Sequence, residues 1–284
     1  MKLKGTVGII TGASSGINGR LAERLAQQGV KIALAARSGD ELEKRAAQIR
    51  SQGGQAIAIP TDVTDNQALR ELISGTEAEL GPIDLLVNGA GIERVIPFQH
   101  IDPNDIAAII ATNITAIEAL TRFAIPGMIE RRKGHIVNLS SAAAKTAYPF
   151  NTVNASTKHA VVGFSWSLRE ELGPQGIGVS VVCPGFVEDV GLSARWSVGK
   201  PPTIAGSVSA DKVADATIRV IERNRAEVIV SPGLGKTVDV FHAISPALST
   251  WVARRGGLYR YLEREAEHNH LATRASSTND VLRT

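Results

Sequence analysis

Short β-branched, apolar runs alternate along this chain with longer stretches of helical period. Thr6 to Ile10 reads as a buried strand, followed by a glycine turn and a helix from about Gly16 to Gln28. Lys31 to Ala35 predicts a second strand, and Asp40 to Ser51 an amphipathic helix with Leu42, Ala46 and Ile49 on one side. Further strands fall at Gln55 to Ile59, Ile83 to Val87, His135 to Leu139, Val179 to Val182 and Glu227 to Val230. Helical patterns occupy 65–80, 104–131, 155–172 and 210–224, and Gly29, Gly53-Gly54, Gly81-Pro82, Gly134 and Gly176 stand where a helix must stop before a strand. Apolar strands separated by helices predict a parallel sheet covered on both faces. Right-handed crossovers then make this an α/β protein with a single doubly wound, Rossmann-type sheet of seven strands. Its ligand crevice lies beyond the strands' carboxyl ends.

Residues 1–231 therefore read as one domain. Within it, 186–209 carries Gly, Pro and Ser, breaks the periodicity and is expected to form a loop over the crevice. Val238, Phe241, Ile244, Leu248, Trp251 and Val252 then form an apolar set at helical spacing, followed by Arg254-Arg255 and Tyr259-Arg260-Tyr261. This predicts a helical extension over 232–271, packed on the domain or on a second copy, with contact to a membrane surface as the alternative. Residues 272–284 read as a frayed polar terminus.

Charge and cysteine usage narrow the class of partner. A net charge of +3 with no basic stripe argues against nucleic acid. The lone Cys183 lies in a strand, cannot make an intrachain disulfide and reads as a small buried hydrophobe. The histidines lack metal-ligand spacing, so no metal is expected. No apolar leader precedes the first strand and no stretch is judged long enough to span a bilayer, so a cytoplasmic setting is expected.

The candidate chemistry begins at the first strand's end, Thr11-Gly12-Ala13-Ser14-Ser15-Gly16-Ile17. Glycines there permit a tight turn and let backbone amides approach a pyrophosphate, and the next helix offers its N-terminal donors and dipole to the anion. The second strand ends in Ala35-Ala36-Arg37 with no acidic residue to bond ribose hydroxyls. Arg37 can instead pair with a 2′-phosphate, so NADP(H) is preferred over NAD(H).

These turns resemble those of the short-chain dehydrogenase/reductase family over residues 5–230. The glycine turn resembles Thr-Gly-x-x-x-Gly-x-Gly, with Asn18 at the third glycine and Gly19 one place late. Asn18 is expected to weaken cofactor binding without abolishing it. Asp62-Val63 resembles the family's adenine contact. Asn88-Gly89-Ala90-Gly91 resembles Asn-Asn-Ala-Gly with glycine for the second asparagine. Pro184-Gly185-Phe186-Val187 resembles the turn beside the nicotinamide, with Asp189 where threonine is common. The resemblance thus implies cofactor contacts from Gly12, Ser14, Ser15, Gly16, Ile17, Arg37, Asp62, Val63, Asn88, Ala90, Gly91, Lys158, Pro184, Gly185 and Val187.

The resemblance also implies a catalytic set. Asn113 matches the family asparagine that anchors a water chain, Ser141 the serine that orients the substrate oxygen, and Lys158 the lysine that lowers a tyrosine's pKa. That tyrosine belongs four residues before the lysine, on one helix face, and position 154 holds asparagine. An amide neither titrates in the useful range nor reaches as far as a phenol. Tyr148, on the preceding loop, is expected to form pocket wall, and His159 to point away from the site.

Two functions follow. The first is hydride transfer between NADP(H) and a carbonyl or secondary alcohol, impaired by Asn154, on a small apolar molecule met by Phe150, Val187, Leu192 and Trp196. The alternative is an inactive nucleotide-binding relative acting as sensor or partner subunit. The family's usual assembly implies a homodimer or tetramer, and the long tail here favours the dimer.

Overall fold

The computed structural model describes residues 1–188, 199–203, 205–232 and 242–281, with side chains as far as residue 271. Strands β1 (Val7–Thr11), β2 (Lys31–Ala36), β3 (Gln55–Pro60), β4 (Ile83–Asn88), β5 (Gly134–Leu139), β6 (Ile177–Pro184) and β7 (Glu227–Val230) pair in parallel in the order β3-β2-β1-β4-β5-β6-β7. This is the doubly wound sheet that the alternation of elements predicts.

Neighbouring strand residues feed opposite layers, as the pleat requires. Ile10, Leu34, Leu85 and Val137 face Leu21 and Leu25 of α1 (Gly16–Gln27), Leu42 of α2 (Gly39–Ser51) and Ile221 of α7 (Ala210–Arg223). Ile9, Ala33, Leu86 and Ile136 face Leu69 and Leu72 of α3 (Asn66–Leu80), Leu120 and Met128 of α5 (Ala116–Arg131) and Leu168 of α6 (Thr152–Leu172). Both faces of the sheet are therefore dry, which is why its strands read as continuous apolar runs.

Polar groups bridge the strands beneath the crevice. Asn88 Nδ2 donates to Asn138 Oδ1 at 2.8 Å and to Thr121 Oγ1 at 3.0 Å, and Asn138 Nδ2 donates to Ser165 Oγ at 2.9 Å. All four residues are buried, so each bond stands in for water that cannot enter.

Several expectations need correction. The pattern over 104–131 is two helices, α4 (Pro103–Ile110) and α5, joined by a π turn at Ala111–Thr115. Asn113 sits in that turn, and its side chain bonds both backbone groups of Ile92, so a tertiary contact outweighs the local period. The same stretch, Pro103–Arg131, is long and apolar enough to cross a membrane by composition, contrary to the reading above. Its Ile117, Leu120, Ala124 and Met128 instead pack in the core.

The C-terminal extension also turns a different face inward. In α8 (Pro246–Arg255), Leu248 and Trp251 are exposed, as is Ile244 just before it, while Ser249 and Ala253 are buried. Small side chains let this helix approach closely. Trp251 lies outside, under the Arg255 guanidinium at 5.3 Å. Val238 and Phe241 fall outside the described residues. Helix α9 (Leu258–Val281) continues past residue 272, where a frayed end was expected. Its Leu258, Tyr261 and Leu262 cluster with Ala253 over Tyr148, Phe150 and Phe186.

Removing the central member of the polar ladder should be felt throughout the fold. Asn138→Ala is expected to cost about 2–4 kcal/mol in urea unfolding, through a cavity and unpaired partners. An exposed helix control, Gln48→Ala, should shift stability by under about 0.5 kcal/mol. Equal midpoints for the two variants would refute the role assigned to the ladder.

Candidate active site

A cavity of about 930 Å³ opens at the carboxyl ends of the strands, where the sheet order reverses between β1 and β4. Its volume is in the range of sites that enclose a cofactor or drug-sized ligand. One side is built by the turn after β1. Gly12 and Gly16 have φ of +68° and +65°, and a Cβ on Gly12 would lie 2.9 Å from the Cα of Ala90. Only glycine fits that approach. Thr11 Oγ1 accepts from the amides of Gly89 and Ala90 at 3.0 and 3.1 Å, tying the turns after β1 and β4 together. Ser15 caps α1 without a side-chain bond, and the helix has no acidic residue in its first turn. Its leading amides therefore face the cavity beside Ser14, Ser15, Gly16 and Ile17 with no carboxylate competing for them.

The departure at position 18 has a structural counterpart. Asn18 Nδ2 donates to the carbonyl of Gly89 at 2.7 Å, and a Cβ on Gly89 would lie 2.5 Å from Asn18 Cγ. The amide at 18 fills the volume that a side chain at 89 would need. Two exceptions to the family pattern are thus one packing solution. A contact outside the motifs supports the same turn: Arg45 of α2 pairs with buried Glu23 and reaches the carbonyl of Ser14 at 3.4 Å.

Around the rim, Ala36, Arg37, Asp62, Val63, Ala90 and Gly91 all line the cavity, with Arg37 exposed to solvent. Asp62 Oδ1 accepts from the Thr64 amide at 2.9 Å and its hydroxyl at 2.7 Å. Those bonds, with a smaller contribution from the charge of Arg37, hold its pKa below the ordinary value and keep it a carboxylate. Pro184, Gly185 and Val187 also line the cavity, and a parallel bridge joins Val187 to Val208. Asp189, Leu192 and Trp196 lie outside the described residues. Asn88 does not line the cavity; its amide is engaged in the ladder beneath it.

The residues matched to catalytic positions converge on the opposite wall. Ser141 starts a short 3-10 turn, its Oγ accepting from the Ala143 amide at 3.1 Å, which leaves the hydroxyl proton to be donated elsewhere. Lys158 projects from α6 and donates through Nζ to the Leu139 carbonyl at 3.3 Å. Burial lowers its pKa, opposed by the charge of Glu93. One turn earlier, Asn154 is held at both ends. Its Oδ1 accepts from Asn113 Nδ2 at 3.1 Å, and its Nδ2 donates to Glu93 Oε2 at 3.3 Å. Asn113 stands behind the wall, with Oδ1 accepting from the Ile92 amide at 2.8 Å. Tyr148 lines the cavity 6.2 Å from the ring of Phe186, while His159 turns back to the Ala155 carbonyl at 2.9 Å.

Among the polar cavity residues that escaped the motifs are Glu93, Asn151 and Glu265. Glu93 Oε2 accepts from Asn151 Nδ2 at 2.9 Å. Burial raises the pKa of Glu93, with the Asn151 bond and the charge of Lys158 acting the other way. Burial first, and then the charge of Glu93, push Glu265 up to about 8. The sequence does hold a signal for Glu265: it continues the buried row Leu258, Tyr261, Leu262 along α9 as a carboxyl on an apolar face.

Comparison with known proteins agrees with this architecture. The short chain dehydrogenase family matches residues 6–198, and the chain belongs to that family of oxidoreductases. Among its relatives, the ketoacyl reductase HetN of a Nostoc strain is 34% identical over 271 residues, 94% of each chain. The 2,3-dihydro-2,3-dihydroxybenzoate dehydrogenase of Bacillus subtilis is 34% identical over 74% of this chain and 81% of its own. A metagenomic short-chain oxidoreductase solved in complex with NADP superposes with a TM-score of 0.69. It is 30% identical and covers 82% of this chain and 100% of its own. Family and fold together point to a nicotinamide cofactor and a small-molecule substrate.

The packing of Asn18 on Gly89 predicts a coupled pair. Gly89→Asn alone should destabilise by about 1–3 kcal/mol through overpacking. Combined with Asn18→Gly it should recover most of that loss, a coupling of about 1 kcal/mol or more in a double-mutant cycle read by urea unfolding. Strict additivity would show that the two positions are independent.

Proposed function

We propose that this protein is an NADP(H)-dependent reductase of carbonyl compounds, or dehydrogenase of secondary alcohols, whose turnover is slowed by the asparagine at position 154. The observation that carries the reading is one cavity that joins an anion-binding glycine turn and Arg37 at one end to Ser141 and Lys158 at the other. The glycine turn and the amides of Gly16 and Ile17 fit a pyrophosphate, Asp62 an adenine amino group, and Arg37 a 2′-phosphate. Lys158 fits the nicotinamide ribose hydroxyls. When bound, the reduced nicotinamide supplies a hydride to a carbonyl carbon.

The protein's own groups do the rest. Ser141 donates a hydrogen bond to the carbonyl oxygen and orients it. Tyr148, Phe186, Leu258 and Leu262 give the substrate end an apolar wall and exclude water. What is missing is a phenol at position 154. Asn154 holds no titratable proton, and its two hydrogen bonds, to Asn113 and Glu93, engage it in the wall. That full engagement is also what supports the second reading, a nucleotide-binding sensor or partner subunit without turnover.

Two measurements test these readings. Titration with NADPH and NADH should favour NADPH, and Arg37→Asp should shift the ratio toward NADH by about 10-fold or more, one charge-assisted contact's worth. An unchanged ratio would remove Arg37 from the cofactor site. NADPH oxidation against a panel of ketones should rise ~10²-fold or more in Asn154→Tyr, the contribution of a positioned general acid. A variant that still binds NADPH but turns over no ketone would favour the sensor.

A further inference from the structure

The wall that lacks a phenol at position 154 contains two buried carboxyl groups. Glu93 follows the turn after β4, and Glu265 comes from α9, far away in sequence, yet both line the same cavity as Ser141 and Asn154. Glu265 is 1% exposed and Glu93 is 9% exposed. Each has one oxygen, Oε1, buried without a hydrogen-bond partner. The other oxygen of Glu93 is fixed by the amides of Asn151 and Asn154. A leucine would continue the apolar face of α9 at 265 with less desolvation. A buried carboxyl with one unpartnered oxygen, lining the cavity within the field of a second one, is instead an arrangement suited to acid–base chemistry.

We propose that the paired side chains of Glu93 and Glu265 deliver the proton to the substrate oxygen during reduction and take it back during oxidation, in place of the phenol that position 154 lacks. The proposal rests on the oxidoreductase reading above. In the reducing direction the carbonyl carbon forms a C–H bond with the hydride from the reduced nicotinamide, which is thereby oxidised. The carbonyl π pair moves onto oxygen. A carboxyl O–H bond of the pair breaks, its proton forms the alcohol O–H, and the electron pair stays behind as carboxylate. Solvent returns the proton before the next turnover.

The electrostatics agree with that geometry. Lys158 on α6 is the cation whose field reaches Glu93, and the charge acting on Glu265 is that of Glu93. Two carboxyls so placed resist carrying two negative charges, so one proton is retained. With its pKa up to about 8, Glu265 is protonated at neutral pH, as a proton donor must be. The ordinary value is 4.5, so the folded protein holds a proton that the unfolded chain releases. Stability from this group is therefore complete below about pH 4.5 and is lost as pH rises to about 8.

The test uses the full chain, with NADPH and acetophenone as probes. Glu93→Gln and Glu265→Gln, which preserve shape and hydrogen bonding, should each lower ketone reduction ~10²-fold in the Asn154 protein. In an Asn154→Tyr background the same changes should cost no more than about 3-fold, because the phenol takes over. Exposed Glu267→Gln on the same helix should leave both rates unchanged. Independently of turnover, the fall in melting temperature between about pH 4.5 and about 8 should flatten in Glu265→Gln and persist in Glu267→Gln.

Unchanged turnover in both glutamine variants overturns the proposal, as does an equal loss in both backgrounds, which would mark a structural role. So does a loss confined to Tyr148→Phe, or turnover seen only with the phenol restored. A pH profile unaltered by Glu265→Gln overturns it as well. If NADPH binds and neither background reduces any ketone, the oxidoreductase reading itself fails and takes this proposal with it.

Discussion

Parallel strands joined by helical crossovers have all their carboxyl ends at one edge, and here the direction of travel across the sheet reverses at β1. The chain moves outward to β2 and β3, then returns to place β4 on the other side. The loops leaving β1 and β4 must part at that reversal, and the cavity is the space between them. Everything at the site answers to this opening. Thr11 holds the two loops together by its hydroxyl, Asn18 wedges its amide against Gly89, and Arg45 steadies the carbonyl of Ser14 from the next helix. The ladder through Asn88, Asn138 and Ser165 forms a rigid polar floor under the same opening. These contacts fix the glycine turn where it lines the cavity.

Much of this was legible in the residues because local and global signals coincide. Apolar runs such as Val7–Thr11 had to be strands buried on two faces, and the glycines after them had to be turns. The break at Ala111–Thr115 carried no such mark: the residues around Asn113 keep a helical period, and the π turn arises from bonds to Ile92, twenty-one residues away in sequence. The inward side of α8 was hidden for a related reason. Its bulky residues are the more hydrophobic, yet Leu248 and Trp251 are exposed and the small Ser249 and Ala253 are the buried ones. Asn88 shows the limit of motif matching. Its place in the pattern is right, yet its side chain faces the floor and not the cavity.

Desolvation governs the chemistry of the inner wall. Burial lowers the pKa of Lys158 and raises that of Glu93, while their mutual attraction opposes both shifts. Neither effect would survive if water entered freely. Asn154 lies in this dry region as a neutral bridge from Asn113 to Glu93. A neutral amide between a buried asparagine and a buried carboxyl adds no charge to an environment that already resists it. An asparagine at 154 is thus compatible with the wall.

The roof of the cavity completes the argument. Leu258 and Leu262 of α9 line the cavity, and the same helix carries Glu265 inward. Excluding water and raising a carboxyl's proton affinity are therefore one event: the apolar residues that close the cavity also strip the solvent that would ionise the acid. A phenol on α6 needs a neighbouring lysine to draw its pKa down toward neutrality. A carboxyl starts from the other side and needs only burial and a second negative charge to draw its pKa up. The extension contributes burial and Glu93 contributes charge. Proton chemistry at this site need not come from the helix that carries Lys158, because the segment that covers the cavity reaches the same space.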